Sequence, residues 1–260
     1  MEMSLLGSNL SFAYVPGHYV LSEITVEVER GEILFLLGAN GSGKTTLLEC
    51  LCGVRVPQQG TVLLDGRELL RLSARDRAKH VAYVPQFPET AFSYTVEEMV
   101  VFGRAPHVGP FGRPGRRDWE RAYRALALVG LDGLSRRPIT TLSGGEKRLA
   151  LIARGIAQEA PYLLLDEPDA HLDPANQHRV LSAIANLTNE GLGVVATTHN
   201  PNSALLYGKK VLLLRAGRTL AAGSPNEALS AELLQEAYGI PFQIVGDPIG
   251  LRAILPRVER

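Results

Sequence analysis

Cysteine is almost missing from this chain: Cys50 and Cys52 are its only two. Two residues apart on a helix, they do not face each other. A disulfide framework is excluded, and the pair reads as small core hydrophobes in a reducing compartment. Net charge is missing too. The 27 Lys and Arg are balanced by 27 Asp and Glu, so there is no basic footprint for nucleic acid or for an anionic membrane surface. Long apolar runs are absent, and no stretch approaches the ~18 residues of a membrane-spanning helix. Met1-Glu2-Met3-Ser4 has neither the basic nor the apolar region of a secretory leader, so none is expected. What remains is 260 residues, 45% apolar, enough for one large domain or two small ones.

The stretch that organises the rest is Gly38-Ala39-Asn40-Gly41-Ser42-Gly43-Lys44-Thr45-Thr46. It follows the apolar run Glu32 to Leu37, which reads as a buried strand, and precedes Leu47 to Leu51, which reads as a helix. Strand, glycine loop, helix, with G-x-x-x-x-G-K-T inside, is the pattern of a phosphate-cradling loop. A loop wrapping a triphosphate needs backbone N–H groups turned inward, and Gly38, Gly41 and Gly43 permit that backbone. The helix N-terminus adds partial positive charge. Lys44 is placed to reach the β- and γ-phosphates, and the Thr45 hydroxyl to ligate Mg²⁺.

Around this loop the chain alternates between strand and helix patterns. Leu10 to Tyr14 and Val20 to Val28 alternate with period two, as half-buried antiparallel strands do, with Pro16-Gly17 as their turn. Tyr14 ends the first, where an aromatic either stacks on a base or simply packs. Thr61 to Arg67 reads as a strand ending in an Asp65-Gly66 turn. Arg71 to His80 reads as helix. Val81 to Gln86 reads as a buried strand with Gln86 at its carboxyl end, where open α/β sheets bind ligands. Thr95 and Glu98 form a capping box. Gly103 to Gly115, rich in Gly and Pro, reads as an exposed loop. Asp118 is the expected cap of the next helix, whose region carries Arg113, Arg116, Arg117, Arg121 and Arg124 as a solvated basic face.

Ser143-Gly144-Gly145 leads into a helix expected over Lys147 to Gln158, a second anion site of low specificity taken alone. Tyr162 to Leu165 is an apolar strand ending in Asp166 and Glu167. One acid there suits Mg²⁺, and the other can orient or deprotonate a water. Gly193 to Thr198 is another buried strand, with His199 at its end. Val211 to Leu214 and Thr219 to Ala222 form a hairpin across Ala216-Gly217, and Pro225 opens a helix. The tail after Gly239 reads as short strands. His171 and His178 are two helical turns apart, but no Cys or third His is spaced to complete a metal site.

In this order Tyr14, the phosphate loop, Gln86, Leu142-Ser143-Gly144-Gly145-Glu146, Leu165-Asp166-Glu167-Pro168, Leu172-Asp173 and His199 resemble the ATP-binding cassette (ABC) ATPases over nearly the whole chain. The resemblance implies an α/β P-loop NTPase fold: a RecA-like core, an antiparallel β subdomain and a helical subdomain over roughly 87–158, in a single domain over 1–260. It implies ATP and Mg²⁺ as the bound groups. Tyr14 would stack on adenine. Gly38, Asn40, Gly41, Ser42, Gly43, Lys44, Thr45 and Thr46 would hold the phosphates, with Thr45, Gln86 and Asp166 at Mg²⁺. Glu167 would be the catalytic base. His199 would hold the γ-phosphate and the attacking water, and Gln86 would sense both. Ser143, Gly144 and Gly145 would close over the nucleotide of a second cassette, and Asp173 would lie in the loop crossing between the two. Complete sites then require a head-to-tail homodimer with ATP at the interface. Two departures stand out: Glu146 where Gln is usual, and Asp169-Ala170-His171 in place of the usual Thr-Ser-Ala.

Having no membrane segment, the chain resembles a separate energising subunit at the cytoplasmic face of a membrane. Its partners would be integral permease subunits and, indirectly, a substrate-binding protein. Tyr94 to His107 is similar to T-V-x-x-x-V-x-x-G-R-x-P-H in importers of iron chelates, haem and cobalamin. His199-Asn200-Pro201-Asn202 is closer to the His-x-Pro-Asn of some molybdate importers, the alternative cargo. A soluble, non-transport ABC ATPase is the alternative of another class. The absence of long coiled-coil insertions and of a second cassette speaks against it.

Overall fold

The computed structural model describes residues 3–86, 94–109, 111–246 and 252–257. β1 (Ser4–Val15) and β2 (His18–Glu29) pair antiparallel across Pro16-Gly17. β3 (Ile33–Leu37) runs through the glycine loop into α1 (Lys44–Leu51). β4 (Gln59–Leu64) and β5 (Arg67–Glu68) complete an antiparallel sheet of order β2-β1-β4-β5. After α2 (Ala74–Ala78) come β6 (Val81–Val84) and three helices: α3 (Val96–Val101), α4 (Arg116–Leu128) and α5 (Gly144–Ala157). The chain then alternates through β7 (Tyr162–Leu165), α6 (Pro174–Asn189), β8 (Gly193–Thr197) and α7 (Pro201–Tyr207). The hairpin β9 (Lys210–Arg215) and β10 (Arg218–Gly223), the helices α8 (Pro225–Ala228) and α9 (Ala231–Tyr238), and the pair β11 (Phe242–Gly246) and β12 (Arg252–Pro256) close the order.

The central sheet has the order β10-β9-β3-β8-β7-β6, parallel except for β10. Its inner strands are apolar on both faces, as parallel strands covered on both sides must be. The period-two alternation sorts them cleanly. Leu34, Leu36, Tyr162, Leu164, Val195 and Leu212 pack with α1 and the antiparallel sheet. Phe35, Leu37, Leu163, Leu165, Ala196 and Leu213 pack with the helices on the other side, in the same buried cluster as apolar residues of α3, α4 and α5. Parallel register aligns the carboxyl ends of the strands: Leu36 beside Thr197, Leu165 beside Ala196, Val84 beside Leu165. The loops after β3, β6, β7 and β8 therefore open on one edge, the crevice where such sheets bind ligands.

Several local expectations need correction. Helix α2 is short because Ser73 caps it, accepting from the Asp76 N–H. Helix α4 is capped at Gly115, whose N–H is accepted by Asp118, so Asp118 sits one turn inside. Helix α5 begins at Gly144 rather than Lys147, and it buries Arg148 and Gly155 along with its apolar residues. Gly103 to Gly115 is not simply an exposed loop: Gly103 and Arg104 are buried in a 3₁₀ turn. A Cβ on Gly103 would lie 2.1 Å from the Arg154 carbonyl. Arg104 Nη1 donates to the Ala157 carbonyl at 2.7 Å and to Glu159, and its Nε reaches Asp118. His107 Nε2 bonds the Gln158 carbonyl at 2.8 Å. The G-R-x-P-H segment is thus a clasp that ties the end of α3 to the end of α5. The two cysteines are free and buried, as core residues.

Candidate active site

The glycine loop is held by backbone crowding. Gly38 has φ +145°, and a Cβ there would lie 2.3 Å from the Leu214 carbonyl. Gly43 has φ +101°, and a Cβ would meet Leu21 and the Val20 carbonyl within 3 Å. Both are positions that only glycine fills without strain. The loop shapes a hollow at the start of α1. Lys44 turns its ammonium inward, donating to the carbonyls of Gly38 at 2.8 Å and Ala39 at 3.1 Å. Burial pulls its pKa down, while the charges of Glu167 and Asp166 push it back up. The Ser42 hydroxyl is buried and has no hydrogen-bond partner, whereas Asn40 is exposed. An unpartnered hydroxyl and an ammonium resting on carbonyls are donors that a phosphate would satisfy.

Tyr14 reaches over the loop: its Oη and Thr46 Oγ1 share a hydrogen bond of 3.1 Å. Phe12 meets its ring edge-on, and the Arg55 guanidinium sits 4.6 Å from its centroid. About half of the residue is exposed.

The ends of β6, β7 and β8 converge on the same hollow. Thr45 Oγ1 donates to Asp166 Oδ2 at 2.9 Å, and Thr197 Oγ1 donates to Asp166 Oδ1 at 2.7 Å. The hydroxyl of Thr45 and the carboxylate of Asp166 form an all-oxygen pair, the donor set that suits a small hard cation. Glu167 follows with φ +44°, its N–H held by Thr197 Oγ1 at 2.7 Å. Its carboxylate accepts from Gln86 Nε2 at 2.7 Å and lies 3.9 Å from His199 Nδ1. Lys44, Thr45, Gln86, Asp166, Glu167 and His199 are therefore one cluster.

Two sets of expected residues are bonded elsewhere, although Gly144 lines the same cavity as Gln86 and Glu167. Ser143, Gly144 and Gly145 start α5, where Ser143 Oγ accepts from the Glu146 N–H and Glu146 accepts from the Ser143 N–H at 2.8 Å. Hydrogen bonds from the Ser143 backbone and hydroxyl hold the Glu146 carboxyl below its usual range. Glu146 in place of Gln is thus the acidic half of a capping box, worth ~1 kcal/mol to the helix. Asp173 caps α6, accepting from Asn176 N–H at 2.9 Å and from its side chain at 2.6 Å. Among the described residues, neither set hydrogen-bonds to the Lys44 cluster.

One residue of the cluster escaped sequence reasoning. Arg148 of α5 is 6% exposed and donates to main-chain carbonyls of two segments, those that follow β6 and β7. These are Pro85 at 2.9 Å, Gln86 at 3.0 Å, Pro168 at 3.3 Å, and Asp166. Burial pulls its pKa down to about 10 against the charges of Asp166, Asp169 and Glu167. The signal was a charge on the buried stripe, at helical spacing from Gly145, Leu151 and Ile152. The His199 loop also reads differently in three dimensions. Asn200 caps α7, accepting from the Asn202 N–H. Asn202 makes a reciprocal pair with Ile254 of β12 at 2.9 and 2.8 Å. These two asparagines serve the fold after His199.

Comparison with known proteins agrees with this geometry. The chain is 38% identical to the hemin import ATP-binding protein of Gloeobacter violaceus, covering 92% of this chain and 90% of that protein. It is 35% identical to the ferric enterobactin transport ATP-binding protein of Escherichia coli, over 97% and 93%. It is 36% identical to the molybdate import ATP-binding protein of Haemophilus influenzae, over 93% and 90%. Among solved structures, a putative metal-chelate type ABC transporter in an inward-facing conformation matches with a TM-score of 0.87 at 34% identity, over 99% of this chain and 98% of that one. The ABC transporter family profile matches residues 21–170, and the chain belongs to that family.

Proposed function

We propose that this chain is the ATP-hydrolysing subunit that energises import of a metal chelate through a separate membrane permease. The observation that carries the hydrolytic part is the convergence of Lys44, Thr45, Asp166, Glu167, Gln86 and His199 at one sheet edge. The glycine loop and Lys44 hold the phosphates of ATP, and Tyr14 carries its adenine. Mg²⁺, held by Thr45 and Asp166 with Gln86 close by, would draw charge from the phosphate oxygens. Glu167 takes the proton of the attacking water, and His199 orients the γ-phosphate. Ser143, Gly144 and Gly145, which make no hydrogen bond to this cluster among the described residues, serve the nucleotide of a second copy, with Asp173 in the crossing loop. An isologous pair closes two equivalent sites.

No helix among the described residues is long and apolar enough to cross a membrane. The relatives named as import and transport ATP-binding proteins support a subunit bound to permease subunits at the cytoplasmic face, with a binding protein delivering cargo beyond them. The relatives named for hemin and ferric enterobactin support an iron chelate as cargo. The molybdate relative, at nearly equal identity, supports the second reading.

Two measurements test this. Glu167→Gln should form an ATP-bound dimer by light scattering, because closure survives while water activation fails. A monomer at saturating Mg-ATP would count against the paired site. Elemental analysis of source cells with and without the chain, at limiting iron and molybdenum, decides the cargo. Loss of iron supports the chelate, and loss of molybdenum alone replaces it with the second reading.

A further inference from the structure

Asp169 lies two residues beyond Glu167 and is 3% exposed. Its carboxylate reaches across to the segment that carries His199. Oδ2 accepts from Thr198 Oγ1 at 3.1 Å and from Ser203 Oγ at 2.8 Å. Thr198 Oγ1 in turn accepts from the Asn200 N–H at 3.1 Å. The residues on either side of His199 thus hang on one hydrogen-bonded chain that begins at Asp169. The base of that chain is fixed as well, because Gln177 of α6 donates to the Asp169 carbonyl at 3.2 Å.

A buried carboxylate is costly unless it is compensated. One oxygen here takes both hydroxyl donors, and Oδ1 has no hydrogen-bond partner. Part of the compensation is the buried guanidinium of Arg148, whose hydrogen bonds given above all go to main-chain carbonyls and whose charge is felt at Asp169. A hydroxyl at this position could both donate and accept. A carboxylate only accepts, so it forces Thr198 and Ser203 to donate and leaves the lone pairs of Thr198 for Asn200. The chain of bonds can then run in one direction.

We propose that Asp169 is a positioning residue that sets His199 against Glu167 through Thr198. This rests on the reading of Glu167 and His199 as the hydrolytic pair. The test measures kcat and KM for Mg-ATP hydrolysis in Asp169→Ala, Thr198→Val and the double variant. Affinity for a fluorescent ATP analogue is titrated in a Glu167→Gln background. Misplacing a catalytic group by a fraction of an ångström should lower kcat on the order of tenfold. KM and analogue affinity should stay within about twofold, the signature of an interaction made in the transition state. The double variant should fall no further than the worse single one, because both cut the same chain. Asp169→Asn should recover most of the loss, since its amide oxygen can stand where Oδ2 does. That variant and Thr198→Val carry the test if Asp169→Ala does not fold. Asp169→Ala or Thr198→Val with wild-type kcat, additive losses, or an equal fall in analogue affinity would overturn the inference. Absence of hydrolysis in the unaltered chain would instead overturn the reading beneath it.

Discussion

Gln86 Nε2 donates to Glu167 Oε2 across 2.7 Å, joining the ends of β6 and β7. The same carboxylate oxygen lies 3.9 Å from His199 Nδ1. An ionised carboxylate has about four lone-pair sites, so one amide donor orders Glu167 without consuming its capacity to accept a proton. Replacing Glu167 by Gln keeps the volume and removes the basicity. We expect kcat to fall ~10²- to 10⁴-fold, the range for loss of a general base. Affinity for ATP should stay within a few-fold. Phosphate release and a nucleotide titration check this, and near-normal turnover would remove Glu167 from its proposed role.

Tyr14 is tethered at its hydroxyl and free over part of its ring. The two contributions separate by mutation. Tyr14→Phe loses only the bond to Thr46, a neutral hydrogen bond at a half-exposed site worth ~1 kcal/mol. Tyr14→Ala also loses the stacking face, worth ~1–3 kcal/mol per base. KM for ATP should therefore rise a few-fold in the first and about tenfold or more in the second, with kcat little changed. Equal KM values for Tyr14→Ala and the unaltered chain would put the adenine elsewhere.

Much of this site is legible in the sequence because its parts are local. The glycine loop, the acids ending β7 and the histidine after β8 each follow a short apolar strand, and a parallel sheet brings strand ends together without further information. The helical region was less legible. Gly103 and Arg104 look like loop residues because their partners, Arg154 of α5 and Glu159 just past its end, are about fifty residues away. Arg148 looks like an ordinary helical cation because the carbonyls it satisfies come from two segments distant in sequence. The departures Glu146 and Asn200-Pro201-Asn202 resolve into caps and a strand anchor only when their partners are seen.

The cysteines give a pH test with a definite sign. Burial, helped by the neighbouring thiol and Glu49, pushes Cys50 up to about 12, and burial pushes Cys52 up to about 11. Both thiols stay protonated in the folded chain at pH 8, so alkylation should be negligible until denaturant is added. Above the unfolded value of 9.0 the unfolded chain releases these protons first. Folded stability from this source is therefore complete below about pH 9 and is lost as pH rises toward the folded values. Mass spectrometry after iodoacetamide checks the first claim, and urea midpoints from pH 8 to 10.5 check the second. Rapid labelling of the native chain would contradict the burial.

Arg148 joins the helix carrying Ser143-Gly144-Gly145 to the loops carrying Gln86 and Asp166. Its removal tests whether that joint is structural as well as functional. Arg148→Ala leaves the carbonyls of Pro85, Gln86, Asp166 and Pro168 without the guanidinium. Each buried group left unpaired costs ~1–3 kcal/mol, and Asp166 and Asp169 lose a neighbouring positive charge. We expect a loss of ~3 kcal/mol or more in stability, read as a lower urea midpoint at unchanged slope. Arg148→Lys should recover little, because a compact ammonium cannot span carbonyls that a planar fork reaches together. Hydrolysis should fall in both, because Gln86 and Asp166 lose the contact that holds their backbone. A lysine variant with normal stability and turnover would mean that charge alone matters at this position, and that the fork of hydrogen bonds does not.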